Sequence, residues 1–135
     1  MKRPAALLPL LLLAGCAAAV EAPYAPTASV EYGARGHDPF WMVTVGDDRI
    51  VLTQGAAGGA ADGEFSEAMY PRALPVERAG VRRWESGAGT EVIAIEARQG
   101  PCIDGGRSYE DKVKVYLSGV MLEGCGGRET GAERG

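Results

Sequence analysis

Glycine and proline interrupt this chain so often that only short secondary-structure elements fit between them. From Gly33 onward they recur every few residues, and the longest interruption is the segment GAAGGAADG at residues 55–63. This spacing favours short strands over regular helices. Only the segment from Glu64 to Tyr70 could form a turn or two of helix. We therefore predict an all-β domain of about six to eight short antiparallel strands, arranged as a small barrel or a sandwich.

Two hairpins can be placed in register from the alternation of apolar and polar residues. One hairpin turns at Asp47-Asp48 within FWMVTVGDDRIVLTQ, and the other turns at Ser118-Gly119 within KVKVYLSGVMLEGC. The predicted pairs are Val45–Ile50, Val43–Leu52 and Trp41–Gln54 in the first hairpin, and Leu117–Val120, Val115–Leu122 and Val113–Gly124 in the second.

The same alternation predicts which side chains are buried. The predicted core consists of Val43, Val45, Ile50, Leu52, Ile93, Ile95, Val113, Val115, Leu117, Val120 and Leu122. Lys112, Lys114 and Tyr116 alternate with the core residues of their strand, so we expect them on the solvent face. An exposed aromatic ring beside two cations is a candidate contact surface.

The N-terminus has the organisation of an export signal. A positive segment, Met1–Arg3, precedes an apolar stretch from Ala5 to Leu13, and small residues then precede Cys16. The apolar segment from Pro4 to Val20 is 17 residues long and contains two prolines, which is less than a membrane-spanning helix needs. A cleaved signal peptide is the favoured interpretation, and an ordinary signal peptide with an incidental cysteine is the alternative.

Leu13-Ala14-Gly15-Cys16 resembles the lipobox of bacterial lipoproteins. The resemblance implies cleavage before Cys16, lipidation of that residue and attachment to a membrane through its acyl chains. Ala17 at the next position resembles lipoproteins sent to the outer membrane, so we expect a lipid-anchored envelope protein that faces the periplasm. The predicted organisation is a signal peptide at 1–15, a lipidated cysteine and flexible tether at 16–27, a β domain at 28–127 and a disordered tail at 128–135.

The charge of the chain argues against nucleic acid as a partner. The net charge is −4, and removal of residues 1–15 would leave 12 basic and 18 acidic residues, a net charge of −6. The basic residues are scattered, whereas phosphate binding requires a basic patch.

With Cys16 assigned to lipid, Cys102 and Cys125 remain as an even number of cysteines in an exported protein. The second hairpin ends just before Cys125, which leaves this residue free to meet the segment that enters at Cys102. We predict a disulfide between them, with reduced thiols as the alternative.

Three sequence elements resemble a known family. They are Gly-x-(Asp/Glu)-Pro-Phe-Trp at Gly36–Trp41, Pro-Cys-x-Asp-Gly…Tyr at Pro101–Tyr109 and Leu-x-Gly-Cys at Leu122–Cys125. Over about residues 28 to 127 the chain resembles a domain of proteobacterial envelope lipoproteins that occurs beside, or fused to, META-type (HslJ-like) and c-type-lysozyme-inhibitor-like domains. The resemblance implies a fold and a cellular address but no activity. The chain departs from the family at Ile103–Ser108, which lacks the methionine of Asp-Gly-Met-Ser.

The sequence predicts no catalytic, cofactor or metal site. The only histidine, His37, stands beside Asp38, and we expect it to cap a loop, because a metal site needs more ligands. The spacing of Asp104, Ser108, Glu110 and Asp111 is not that of a calcium loop, Ser108 lacks a Gly-x-Ser-x-Gly setting, and the paired carboxylates are adjacent in sequence.

These observations favour a non-catalytic binding or inhibitor-like module on a membrane anchor, because loops on a rigid β scaffold commonly carry recognition. An envelope protein or a peptidoglycan-related partner is the expected ligand. The first alternative is a structural or quality-control component of the envelope. The second alternative, an envelope hydrolase, lacks a recognisable site, so we expect no enzyme activity.

Overall fold

The computed structural model describes residues 29–55 and 65–131, and the nine strands within these ranges form one antiparallel sheet. The predicted signal peptide, Cys16 and the tether lie outside the described residues. The strands are β1 (Val30–His37), β2 (Phe40–Gly46), β3 (Arg49–Gly55), β4 (Phe65–Pro71), β5 (Val76–Arg78), β6 (Val81–Ala88), β7 (Glu91–Asp104), β8 (Arg107–Leu117) and β9 (Val120–Glu129). No helix in the described ranges is long and apolar enough to cross a membrane.

The sheet consists of two meanders joined at one place. Its strand order is β4-β3-β2-β1-β9-β8-β7-β6-β5, so β1 to β4 form one meander and β5 to β9 form the other. The meanders meet where β1 pairs with β9, with Ala34 opposite Gly126 and Arg35 opposite Cys125. We call this pairing the seam. The predicted all-β antiparallel class is confirmed, and the sheet remains open because β4 and β5 are its two edges.

Both predicted hairpin registers are confirmed, residue pair by residue pair. The predicted core is also largely confirmed, and the buried members are Val43, Val45, Ile50, Leu52, Ile93, Ile95, Val113, Val115 and Leu122. Leu117 is partly buried against this core. Val120 is 52% exposed, so its prediction was wrong. It lies directly after the Ser118-Gly119 turn, at the tip of a hairpin that extends beyond the core.

Within the segment 64–70, the described residues 65–70 do not form the turn of helix that the spacing allowed. Phe65–Pro71 is strand β4, which pairs with β3 along its whole length, from Phe65 opposite Gly55 to Pro71 opposite Arg49. Tyr70 packs against the core from this strand. A ladder of backbone hydrogen bonds and the burial of one ring therefore outweighed the weak local helical pattern.

The β7–β8 hairpin is irregular on both strands where it approaches its tip. Register shifts between Gln99 and Cys102 and between Tyr109 and Asp111 mark two irregularities, which bend strands locally. We call residues 99–111 the arm. The arm reaches the seam, where the Arg35 guanidinium lies 5.8 Å from the centroid of the Tyr109 ring.

Strand β9 continues to Glu129, two residues past the predicted end of the domain. The N–H of Arg128 donates to the carboxylate of Glu110, and the N–H of Thr130 donates to the carbonyl of Ser108. These bonds to the arm order residues that the sequence alone assigned to a tail.

Candidate functional site

The seam is held together by a close approach that two glycines permit. The indole N–H of Trp41 donates to the carbonyl of Glu123 across the seam at 3.2 Å. A Cβ atom at Gly36 would collide with the Trp41 indole, and one at Gly124 would collide with the Arg35 carbonyl. Glycine is needed at both positions because it has no Cβ atom. Two of the three sequence elements thus meet at the seam for a structural reason.

The predicted cysteine pair joins the arm to the seam. The Cα atoms of Cys102 and Cys125 are 5.6 Å apart and their sulfur atoms lie at bonding distance, which is compatible with a disulfide. Cys125 is buried beside β1, whereas Cys102 is half-buried on the arm. The pair therefore attaches the hairpin of β7 and β8 to β9, the strand that pairs with β1 at the seam.

A second contact between the arm and β1 involves the only histidine. The Nδ1 atom of His37 lies 2.7 Å from an Oδ atom of Asp104, and the imidazole ring lies against Gly105. Gly105 has a φ of +59°, and a Cβ atom there would come within 2.9 Å of the ring. The sequence did not predict this contact, which forms because the arm brings Asp104 to His37.

Sequence reasoning missed this contact because 67 residues separate the two side chains. The available signal was indirect, since His37 and Asp104 belong to two of the sequence elements that carry the family resemblance. The pair is open to solvent on one side: the side chain of His37 is 59% exposed and that of Asp104 is 13% exposed.

The His37–Asp104 pair resembles a base and its orienting carboxylate, and among the described residues no nucleophilic side chain is hydrogen-bonded to the imidazole. No hydrogen bond within residues 29–55 and 65–131 joins His37 to a serine, a threonine or a cysteine. In the same ranges no group of three or more His, Cys, Asp or Glu side chains could hold a metal ion. A general base must lie within hydrogen-bonding reach of the group it deprotonates. The pair links the end of β1 to the arm, and we interpret it as a brace between them.

A groove lies beside the arm, over the outer face of β6 to β9. Its volume is about 470 Å³, which falls in the usual range for ligand pockets. Lys112 and Lys114 lie in it, on the face of β8 opposite the buried Val113 and Val115. Apolar groups from Val81, Pro101 and Ile103 also line the groove.

The charges in the groove fall into two rows across the strands. In the first row Arg83, Glu96, Lys114 and Glu123 are successive cross-strand neighbours with alternating charge. Arg83 forms an ion pair with Glu96, and Lys114 lies 3.9 Å from Glu123. The charges of the first row therefore have partners within the groove or at its border.

The second row contains two cations side by side. Arg98 of β7 is directly opposite Lys112 of β8, and both side chains are exposed. Among the described residues neither cation lies within 4.0 Å of a carboxylate. As far as residues 29–55 and 65–131 show, the groove thus contains one row of paired charges and one row of unpaired positive charge.

The predicted contact surface is only partly assembled. Lys112 and Lys114 line the groove, whereas Tyr116 lies outside it and is half-buried. The Tyr116 hydroxyl donates to Glu96 at 3.3 Å, and the Arg83 guanidinium lies 5.9 Å from the centroid of its ring. Tyr116 is therefore occupied by neighbours in its own sheet, and the prediction of its exposure was wrong.

A second cavity, of about 500 Å³, lies near the β5–β6 turn and is lined mainly by polar residues. Except for Arg78, its charged side chains have partners among the described residues. Arg82 donates to Glu77 at 2.9 Å, Glu110 accepts the N–H of Arg128, and Asp111 accepts the Tyr32 hydroxyl at 2.9 Å. Burial and the bond to Asp111 raise the pKa of Tyr32 well above its ordinary value. This cavity offers a ligand fewer free charges than the groove does.

Comparison of the chain with protein-family models, with curated proteins and with solved structures finds no match. The resemblance of the three sequence elements to an envelope lipoprotein domain therefore stays a prediction.

Proposed function

We propose that this protein is a lipid-anchored envelope protein whose β domain binds a protein partner through the groove. One observation carries the proposal: the groove combines free cations with the most exposed large hydrophobic side chain among the described residues. That side chain is Ile103, which is 75% exposed. Apolar anchors beside oriented charges are typical of recognition surfaces.

The contacts on either side of Ile103 support a role in recognition because they hold this groove-lining residue in place. Ile103 follows Cys102, whose contact with Cys125 attaches the arm to β9. Asp104 follows Ile103 and pairs with His37 on β1. Ile103 therefore projects from a segment that is restrained on both sides, and a restrained contact residue loses less conformational entropy on binding.

The contents of the groove favour binding over catalysis. Its ionisable side chains are Glu96, Arg98, Lys112, Lys114 and Glu123, and the His37–Asp104 pair is not among its lining residues. Lysine, arginine and glutamate held in neighbouring ion pairs or exposed to solvent suit complementarity better than proton transfer. The second alternative, a hydrolase, would depend on His37, at a distance from the groove's charges.

The proposed address depends on the N-terminal sequence. Leu13-Ala14-Gly15-Cys16 and the Ala- and Pro-rich tether that follows would hold the domain near a membrane and leave the groove free to meet a partner. Mass spectrometry of the mature protein should detect a diacylglyceryl Cys16 and no peptide from residues 1–15. Cys16→Ser should leave uncleaved precursor, and a mature protein that begins elsewhere would contradict the anchor.

Site-specific photocrosslinking in the intact envelope tests the binding function. Ile103→p-benzoylphenylalanine places the crosslinker at the groove, and Val120→p-benzoylphenylalanine places it at an exposed hairpin tip as a matched control. We expect one stoichiometric protein adduct from position 103 and none from position 120.

The other outcomes identify the alternatives. Adducts only to peptidoglycan or lipid would support a structural component of the envelope. Equal protein adducts from both positions would contradict a binding site at the groove. Hydrolytic turnover that His37→Ala abolishes, with the fold retained, would favour the hydrolase.

A further inference from the structure

We propose that Arg98 and Lys112 form a carboxylate-binding site within the groove, an inference that rests on the proposed function and names the chemistry of the partner. The two residues are direct neighbours across β7 and β8. Side chains in such positions have Cβ atoms about 4.5 to 5.5 Å apart, so two like charges there repel each other. A carboxylate bound between them would remove that repulsion.

Within the groove, the contrast with the first row shows that the unpaired positive charge lies at this position. Lys114 lies two residues from Lys112 on the same face of β8, and it has Glu123 as a partner at 3.9 Å. Arg83 has Glu96 as a partner. Arg98 and Lys112 have neither a carboxylate within 4.0 Å nor an aromatic ring under the guanidinium, within the part of the chain that the structure describes.

The geometry of an arginine beside a lysine suits a carboxylate. A guanidinium presents two parallel N–H groups that match the two oxygens of a carboxylate, and a lysine ammonium adds a point charge. Charge-assisted hydrogen bonds of this kind are stronger than neutral ones. The site could accept a glutamate, an aspartate or the C-terminus of a chain.

The apolar lining defines the group that accompanies the carboxylate. Val81 is the neighbour of Arg98 on β6, and Pro101 and Ile103 belong to the arm. A ligand that places its carboxylate on Arg98 and Lys112 can therefore place an adjacent aliphatic side chain against Ile103. An extended peptide segment with an acidic residue or a free C-terminus next to an aliphatic residue meets both conditions.

The surrounding charges disfavour an anionic membrane surface as the ligand. Glu96 and Glu123 line the same groove, and the mature chain would carry a net charge of −6. A sheet of lipid phosphates would meet these negative charges, whereas a single carboxylate can lie between the two cations and avoid them.

NMR titration of the full mature protein in neutral detergent micelles tests the inference. The probe is N-acetyl-leucine, which carries a carboxylate beside an aliphatic side chain, and the control ligand is the uncharged N-acetyl-leucinamide. We expect the backbone amide signals of Arg98, Ile103 and Lys112 to shift with the carboxylate and not with the amide. Added salt should weaken the effect.

Charge variants provide the matched comparison. Arg98→Gln combined with Lys112→Gln should raise the dissociation constant of N-acetyl-leucine by about tenfold or more. Arg107→Gln removes a positive charge from the tip of the same arm, where Arg107 pairs with Glu129 at 3.6 Å, and should change the constant little. An equal loss with Arg107→Gln would show a general charge effect and overturn the site.

Two further outcomes separate this inference from the proposed function. Photocrosslinking from position 103 that persists when Arg98 and Lys112 are both replaced by Gln would retain the groove as a binding surface and refute the carboxylate site. Shifts at the same amides with monomeric dihexanoylphosphatidylglycerol but not with N-acetyl-leucine would assign the cations to lipid phosphate and overturn a peptide ligand.

Discussion

The two meanders of this sheet contact each other at two places, one at the β1–β9 seam and one where β4 lies near β6. Different interactions join them at these two places. At the seam, the β1–β9 ladder is reinforced by the Cys102–Cys125 pair and by the Trp41–Glu123 bond. On the other side β4 and β6 do not pair, and the hydroxyl of Ser86 donates to the carbonyl of Pro71. Tyr70 and Ala73 pack against the core on that side.

This difference explains where the sequence elements of the family resemblance lie. A ladder as short as that between β1 and β9 contributes few hydrogen bonds, so side chains must hold the two strands together. Gly36, Trp41, Gly124 and Cys125 all lie at the seam, and Cys102 reaches it from the arm. The open side needs only apolar packing and one polar contact. The glycine, tryptophan and cysteine residues of the sequence elements therefore lie at the contact that has the most stabilising side-chain interactions. Most of the charged residues that line the proposed binding groove beside it lie outside these elements.

The largest expected effect comes from the cysteine pair. Replacing both Cys102 and Cys125 with Ala should lower the free energy of unfolding by about 2 to 5 kcal/mol, the usual cost of removing a disulfide from a small exported domain. Urea denaturation monitored by tryptophan fluorescence would measure the loss. His37→Ala removes an exposed brace from the same region and should cost less than about 1 kcal/mol. Alkylation of both thiols in native, unreduced protein would contradict the disulfide.

Gly124→Ala should be the next most damaging change to the seam. The added Cβ atom would meet the Arg35 carbonyl and the Trp41 ring, and overpacking of this kind costs about 1 to 3 kcal/mol. Gly33→Ala is the matched control in β1, because its Cβ atom would have only the Val43 carbonyl, at 3.9 Å, within reach. Thermal denaturation should give a lower melting temperature for Gly124→Ala than for Gly33→Ala. Equal melting temperatures would show that the backbone at the seam can shift to accommodate the added Cβ atom.

Tyr32 links pH to the stability of the core. Its pKa is raised in the folded protein, first by burial and then by its bond to Asp111. Its contribution to stability is therefore complete below the unfolded pKa of about 10, and it is lost as the pH rises above that value, because the unfolded chain releases the proton first. We expect the free energy of unfolding to fall above about pH 10, by at most about 1.4 kcal/mol per pH unit from this residue.

The Tyr32→Phe variant should show both consequences of losing the hydroxyl. It should be about 1 to 2 kcal/mol less stable near neutral pH, because Asp111 loses a hydrogen-bond donor. Its stability should then decline less steeply above about pH 10. Tyr70, whose pKa is also raised by burial, would preserve part of the decline. Urea denaturation across the alkaline range measures both effects, and an unchanged slope would refute the role of Tyr32.

The smallest expected effect is on the open side of the sheet. Ser86→Ala removes the bond to the Pro71 carbonyl and should cost about 1 kcal/mol. Ser66→Ala on the exposed part of β4 is the matched control and should be nearly neutral. Hydrogen exchange of the β4 amides should rise in the Ser86→Ala variant alone. If Ser86→Ala lowered the free energy of unfolding as much as the double cysteine replacement, the open side and the seam would contribute equally to stability.

The sequence was most informative where contacts are local. The registers of β2–β3 and β8–β9 were predictable because a two-residue turn fixes which residues face each other, and alternation then fixes the buried face. Cys102 and Cys125 could be paired because they remained after Cys16 was assigned to lipid. The same local reasoning was wrong at Val120, since alternation specifies a face but not the point at which a hairpin extends beyond the core.

The sequence was least informative where distant segments meet. Nothing in the local pattern around His37 indicates Asp104, because the irregularities in β7 and β8 decide where the arm bends. Tyr116 was predicted to be exposed because its contacts with Glu96 and Arg83 could not be known without the register of β6, β7 and β8.

The amino-acid sequence by itself determined the all-β class, two hairpin registers, most of the core and the identity of the cysteine pair. These properties depend on turn chemistry and on period-two alternation, which operate over a few residues. The tertiary structure alone decided that β1 and β9 form a seam, that the arm bends onto it and that Arg98 and Lys112 are left side by side beneath it. Those features depend on which non-neighbouring strands pack together, and that choice is made by side chains far apart in the chain.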